Sequence, residues 1–271
     1  MSPTAPTPAG PRAPTDPMRR TARIAGVLYL LTFVSIPTLA LYEPVKEHAD
    51  FVLGAGSDTG VLWGALSEVV VGLCGIGTAV VLFPVLKRQS ETAALGLVAA
   101  RLLETSLIFV GVISLLSIVT LRTDVAGTAG TDPTSLVTTG HSLAAVYNWT
   151  FLLSQSLMPV ACDLLLGYLL YRSALVPRIL PLVALVGAPL LLVSDIAVFF
   201  GAYDRVSPLA GLAALPVAAF EFSLGVWLVV KGFNPSSPVL AQPTADIGIP
   251  APIPSPRSGA TQPGERGAEV S

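Results

Sequence analysis

Six ionisable side chains, Glu68, Arg101, Glu104, Asp163, Asp195 and Glu221, fall inside long apolar runs of this 271-residue sequence. A charge near the centre of a membrane helix costs on the order of 2.5 to 3.5 kcal/mol, so such residues face other helices, a partner or water. They can do two kinds of chemistry. Carboxyls staggered across a bilayer relay protons or cations, as ionisable chains do in pumps and transporters. Protonated carboxyls also join helices by hydrogen bonds to hydroxyls, here Ser67, Ser106, Ser156 and Ser194, or to backbone carbonyls. Both readings stay open on the residues alone.

Spacing narrows where these groups sit. In the second apolar run Gly64, Glu68, Gly72, Gly75 and Ala79 follow steps of three and four, which puts the carboxyl on a stripe of small residues where another helix can approach. The sixth run repeats the device with Gly211, Ala214, Ala218, Glu221 and Gly225. Counted from each run's midpoint at about 1.5 Å per residue, Arg101 and Asp163 both lie roughly 9 Å to one side of the midplane on adjacent runs, which makes them the expected ion pair. Glu104 is one turn from Arg101 on the same face and can share it. By the same count Glu221 falls near the midplane, and Asp195 and Glu68 roughly 7 Å toward the other side. One arginine does not neutralise five acids, so the unpaired acids are expected to be protonated or wetted by a cavity.

Catalytic and metal signatures are weak. Asp163 and Asp195 suggest a two-aspartate intramembrane protease, but such a dyad needs carboxyls about 3 Å apart, whereas these differ in depth by roughly 16 Å. Gly140-His141-Ser142 lacks the strand-turn-helix setting of a nucleophile elbow and reads as a helix start capped by Ser142. His48 and His141 with Glu47 have no metal-ligand spacing. Asn148-Trp149-Thr150 is a glycosylation triplet inside a membrane run, where it carries no meaning. Cys74 and Cys162 sit in apolar runs and read as small hydrophobes. No enzyme activity, cofactor or metal site is expected.

The elements that hold these groups follow from composition. Hydrophobic residues make up 52% of the chain and charged residues 12%, against roughly 25% charged in an ordinary globular domain. Mean hydropathy is +0.73, net charge is −2 and the pI is about 5.7, values that give no basic field for nucleic acid. The bilayer is the expected partner. Six runs can cross about 30 Å of hydrocarbon as helices: Ile24 to Tyr42, Val61 to Leu86, Ala93 to Leu121, Leu143 to Tyr171, Ile179 to Ala202 and Leu209 to Val230. They lack the period-two alternation of barrel strands. The first run ends near a Thr38-Leu39-Ala40 cleavage-like triplet, yet it is too long for a usual signal core and follows a Pro-rich stretch, so it is expected to be retained. Pro37, Pro159, Pro181, Pro189 and Pro216 lie within runs and permit kinks.

Residues 1–20 and 234–271 are rich in proline, including Pro250, Pro252, Pro254 and Pro256, and are expected to be disordered tails flanking a six-span domain over 21–233. Eleven basic residues fall on one side of the expected membrane: Arg12, Arg19, Arg20, Arg23, Lys87, Arg88, Arg172, Arg178, Lys231, Arg257 and Arg266. Only Lys46, Arg122 and Arg205 fall on the other, so both termini are expected in the cytoplasm. Trp63, Tyr147 and Trp149 at one end and Tyr168, Tyr171 and Trp227 at the other read as interfacial belts.

Three segments carry a family resemblance. Arg23-Ile24-Ala25-Gly26-Val27-Leu28-Tyr29-Leu30-Leu31 opens the first run, and Tyr171-Arg172-Ser173-Ala174-Leu175-Val176-Pro177-Arg178-Ile179-Leu180-Pro181 turns between the fourth and fifth. Glu221-Phe222-Ser223-Leu224-Gly225-Val226-Trp227-Leu228-Val229-Val230-Lys231-Gly232-Phe233 closes the sixth. Together they resemble a bacterial multi-pass membrane-protein family, domain of unknown function 4386, over about Arg20 to Phe233. The resemblance implies a six-span protein of the bacterial cytoplasmic membrane and brings no substrate or catalytic residue. Ala174 departs from a turn that often carries a basic residue or glycine there. Glu104-Thr-Ser-Leu echoes Glu221-Phe-Ser-Leu, a short hint of a three-plus-three repeat. The expected function is structural or regulatory, with a small transporter or permease coupled to protons or a cation as the alternative. Ion or small-molecule substrate and oligomeric state stay open.

Overall fold

A computed structural model describes residues 16–48, 50–54, 57–125, 128 and 130–241. Every regular element among them is helical. Five helices are long and apolar enough to cross a membrane: α2 (Thr59–Leu86), α3 (Glu91–Val125), α4 (Pro133–Ser173), α5 (Ile179–Phe199) and α6 (Pro208–Val230). Their outward faces carry large apolar side chains such as Leu73, Ile113, Val193 and Leu212, as lipid-facing helices do. The chain is a membrane protein.

The first apolar run differs from expectation. Helix α1 (Asp16–Thr32) has 17 residues, short of the ~20 that a straight span takes. It gives way to a 3-10 turn at Phe33–Ser35 and a short helix at Thr38–Leu41. Pro37 causes the break, because it has no N–H to donate and its ring clashes with the preceding turn. Hydroxyls take up carbonyls there: Thr32 donates to Tyr29 O at 2.6 Å, Ser35 to Thr32 O at 3.1 Å and Thr38 to Ser35 O at 2.6 Å. The helix also begins at Asp16, inside the stretch expected as a tail.

In sequence order each helix packs on the next, and α6 packs back on α1, so the six form a closed ring. The α1–α6 crossing depends on two glycines. A Cβ on Gly26 would sit 2.6 Å from the carbonyl oxygen of Gly225, so any larger residue forces the backbones apart. On the α2 stripe, Gly72 lets Thr105 of α3 donate to its carbonyl at 2.9 Å.

Helix α4 is longer than its apolar run. Asp132 caps it, accepting from the backbone N–H groups of Thr134 and Ser135, and Pro133 sits at the first turn, where a missing N–H costs nothing. Hydrogen bonds from the Ser135 hydroxyl and from these N–H groups hold the Asp132 carboxyl below its ordinary range. The expected cap, Ser142, instead lies inside the helix and donates to Thr138 O at 2.9 Å. At Leu152–Leu157 the helix widens into a π-turn. Pro159 follows after Met158 and cannot make the regular backbone bond, which accounts for the local widening.

The two ends of the ring are covered differently. At the distal end the α1–α2 connection folds into short turns whose Tyr42, Val45, Phe51 and Val52 pack against α3 and α4. Arg122 lies over the Phe51 ring at 4.7 Å and pairs with Asp58 at 3.1 Å. At the proximal end residues 234–241 dock rather than trail away. Asn234 N–H donates to Leu175 O at 2.7 Å, and the buried Ser237 donates to Ser173 O at 2.6 Å. The expected tails outside these stretches lie beyond the described residues.

Candidate functional site

Arg101, on α3 and 4% exposed, is the hub of the interior. Its Nη1 donates to both oxygens of Glu104, at 3.0 and 2.9 Å. Its Nη2 donates to Glu221 Oε1 on α6 at 3.0 Å and to the Tyr29 hydroxyl on α1 at 3.4 Å. One guanidinium therefore ties three helices, using the fixed fork that makes arginine suited to several carboxylates at once. The Cys162 thiol of α4 approaches Glu104 Oε2 at 3.5 Å and adds a weak fourth connection.

The expected Arg101–Asp163 pair is not formed. Asp163 is fully buried, and neither of its carboxyl oxygens has a hydrogen-bond partner among the described residues. It lies within electrostatic range of Glu221, Arg101 and Glu104. Both terminal nitrogens of Arg101 are already occupied by the two glutamates, and the position of α4 facing Glu104 is Cys162.

A cavity of about 180 Å³ adjoins the hub, bordered by Arg101, Glu104, Glu221, Thr105, Gln155 and the Pro37-linked break at Thr32 to Ile36. A site needs only ~10 to 15 Å³ and a few polar partners to hold one water, so this chamber has room for several. It is small against the ~300 Å³ at which organic-ligand pockets begin.

Gln155, in the π-turn, connects this cavity to a second cluster. It borders the cavity, and its Nε2 donates to Glu68 Oε1 at 2.9 Å. Tyr147 donates to the same oxygen at 2.9 Å and Tyr42 to Oε2 at 3.3 Å, so Glu68 accepts three hydrogen bonds. Tyr147 is 2% exposed and is therefore no part of an interfacial belt, whereas Trp63 and Trp149 do face outward. The next π-turn residue, Ser156, donates to Asp195 on α5, a third and separate contact. Of the hydroxyls considered as partners for the acids, Ser156 takes that role. Ser67 and Ser106 bond to carbonyls of their own helices, and Ser194 meets Tyr203 at 2.8 Å.

Of the six charged residues read from the sequence, Arg101, Glu104 and Glu221 meet directly, with Asp163 beside them. Glu68 stands apart, and Gln155, which donates to it, borders the same cavity as Arg101, Glu104 and Glu221. Asp195 belongs to neither cluster. The family model described as "Domain of unknown function (DUF4386)" matches residues 24–232. The chain belongs to that family. The DUF4386 region takes in every residue of both clusters, from Tyr29 to Glu221. No match was found among curated proteins or among solved structures.

Tyr29, Tyr42, Gln155 and Cys162 were not singled out as site residues by their sequence setting. Gln155 had a usable signal, since it is the one glutamine within the six apolar runs. His48 and His141 border one cleft of about 10 Å³, but among the described residues no group of three His, Cys, Asp or Glu side chains is placed to hold a metal ion.

Proposed function

We propose that this chain is a six-span protein of the bacterial cytoplasmic membrane, both termini cytoplasmic, with a structural or regulatory role in which Arg101 locks α1, α3 and α6 into one ring. The observation that carries this reading is the full engagement of the Arg101 terminal nitrogens by acids of two helices and a tyrosine of a third. A sixth span is supported by the place of α1 between α2 and α6, with Ala22, Ala25 and Tyr29 turned inward and Ile24, Val27 and Leu31 outward. Cytoplasmic termini are supported by Arg19, Arg20, Lys87, Arg88, Arg172, Arg178 and Lys231 gathering at the proximal end.

One observation favours the second reading, a small transporter or permease coupled to protons or a cation. The cavity beside Arg101, Glu104 and Glu221 is bordered by Gln155, which donates to Glu68, and Asp163, with no hydrogen-bond partner among the described residues, stands next to the hub. Proton flux in proteoliposomes separates the two. In the structural role neither the wild type nor Glu221→Gln conducts, and the variant keeps its fold because glutamine still offers a donor and an acceptor. Flux in the wild type that vanishes in a folded Glu221→Gln variant overturns the structural reading in favour of transport.

A further inference from the structure

Arg205, in the connection between α5 and α6, is held in place by two contacts. Its Nη2 donates to Asn148 Oδ1 at 3.3 Å, and its guanidinium lies 4.0 Å above the Phe151 ring. The remaining terminal nitrogen, Nη1, is buried and has no hydrogen-bond acceptor among the described residues. Buried polar atoms rarely go without a partner, so this idle donor, on a side chain that borders a groove, can take an acceptor there once the guanidinium turns outward.

The space beside it suits such an acceptor. Arg205 borders a groove of about 860 Å³ at the distal end, together with Lys46, Asn148, Trp149, Asp204 and Ser207. This is several times the interior chamber and within the range of sites for organic ligands. Two cations border it against one carboxylate. The start of α6 adds the positive end of a 23-residue helix, with Ser207 as its cap. Burial lowers the pKa of Arg205 from its ordinary value, so an anion alongside would offset the cost of keeping that charge.

The apolar surroundings say which anion. Trp149 is 52% exposed and packs edge-on against Phe199 at 5.6 Å, and Phe199 in turn meets the 80% exposed Phe200 at 5.6 Å. Val206 and Leu209 continue this apolar surface around the start of α6. Exposed aromatic and aliphatic side chains at the end of a membrane helix sit where headgroup meets acyl chain. We infer that this groove binds the phosphate of an anionic glycerophospholipid, with Arg205 and Lys46 at the headgroup and Trp149 and Phe200 along the upper acyl chain.

The test is lipid retention by the full chain, purified from mixed micelles of phosphatidylglycerol and phosphatidylcholine and weighed by native mass spectrometry. Wild type should retain phosphatidylglycerol over phosphatidylcholine by about tenfold, because both lipids carry the phosphate but only phosphatidylcholine adds a cation, which Arg205 and Lys46 disfavour. Arg205→Gln should abolish that preference, and Lys46→Gln should reduce it. Because Arg205 also contacts Asn148 and Phe151, helicity by circular dichroism checks that Arg205→Gln is folded, and Arg205→Lys, which keeps the charge, should retain part of the preference. If Arg205→Gln proves unfolded, a reduced preference in Lys46→Gln supports the proposal in its place and an unchanged one overturns it. Equal retention of both lipids by the wild type overturns the proposal, as does an unchanged preference in a folded Arg205→Gln. Inorganic phosphate displacing the lipid as well as phosphatidylglycerol does would show a free-anion site and also overturn the lipid assignment.

Discussion

Replacing Arg101 by methionine removes a charge that is 4% exposed and bonded to two carboxylates. If all these bonds were ordinary polar contacts between membrane helices, each would contribute only about 0.6 kcal/mol. The geometry argues for more. Nη1 reaches both oxygens of Glu104 at 3.0 and 2.9 Å and Nη2 reaches Glu221 at 3.0 Å, so methionine strands the buried Glu104 together with the partly buried Glu221. Removing one partner from a buried ion pair costs on the order of 3 to 5 kcal/mol, because the charge left behind has lost its counter-ion. Reversible unfolding in mixed micelles, followed by circular dichroism, should show Arg101→Met destabilised by about that amount. Adding Glu104→Gln and Glu221→Gln to the same chain should recover most of the loss, since no stranded carboxylate is left. The double-mutant cycle between Arg101 and Glu221 should give a coupling within about 0.5 to 3 kcal/mol and exceed that between Arg101 and Asp163. A loss below about 1 kcal/mol for Arg101→Met would refute the clamp. So would a triple variant no more stable than the single one.

The proximal turn after α4 places Ala174 in left-handed backbone at φ +52°, which costs a residue with a Cβ roughly 1 kcal/mol. Ala174→Gly should therefore hold or raise the unfolding midpoint, and a marked fall would show that the Ala174 methyl is needed for packing. At the other end of α4, hydrogen bonds depress the Asp132 carboxyl, so its capping contribution is present above the ordinary aspartate range and lost as pH falls through the lowered value. Hydrogen exchange at the Thr134 and Ser135 amides, corrected for intrinsic rates, should be slow at neutral pH and accelerate only in strong acid; acceleration already near pH 5 would contradict the cap. With Cys74 and Cys162 buried, single cysteines at Ser57 and Glu91 report topology: impermeant maleimide should reach the first from outside the cell and the second only after lysis. The reverse pattern would invert the proposed orientation.

Which features could be read from the residues depended on whether they lay within one helix or between two. The stripe Gly64, Glu68, Gly72, Gly75 and Ala79 is a property of one helix, and in the structure Gly72 and Gly75 do face Thr105 and Arg101 of α3. The small stripe of α6 holds in part, since Gly225 meets Gly26 and Leu30 whereas Gly211 has open space beside it. The i,i+3 relation of Arg101 to Glu104 needed no other helix and appears as a bidentate contact. Tyr147 shows the limit. A tyrosine near the end of an apolar run has the same local pattern whether it faces lipid or protein, and only the rotation of α4 against α2 aims its hydroxyl at Glu68.

The Arg101–Asp163 expectation failed for a reason that can be traced along α4. The depth agrees, since Asp163 lies within electrostatic range of Arg101 and Glu104, so what differs is the rotation of the helix. The π-turn at Leu152–Leu157 then changes the rotation of everything after it, because a π-turn takes up one residue more than an α-turn and each residue advances the helix by about 100°. After that step the side chain presented to Glu104 is Cys162, and Asp163 is buried without a hydrogen bond among the described residues. The same turn sends Gln155 to Glu68 and the adjacent Ser156 to Asp195. A regular α4 would rotate Gln155 and Cys162 out of register with one another, so they could not both keep their present contacts. The irregular turn beside Pro159 is therefore what lets one helix serve the Arg101 hub, Glu68 and Asp195 together.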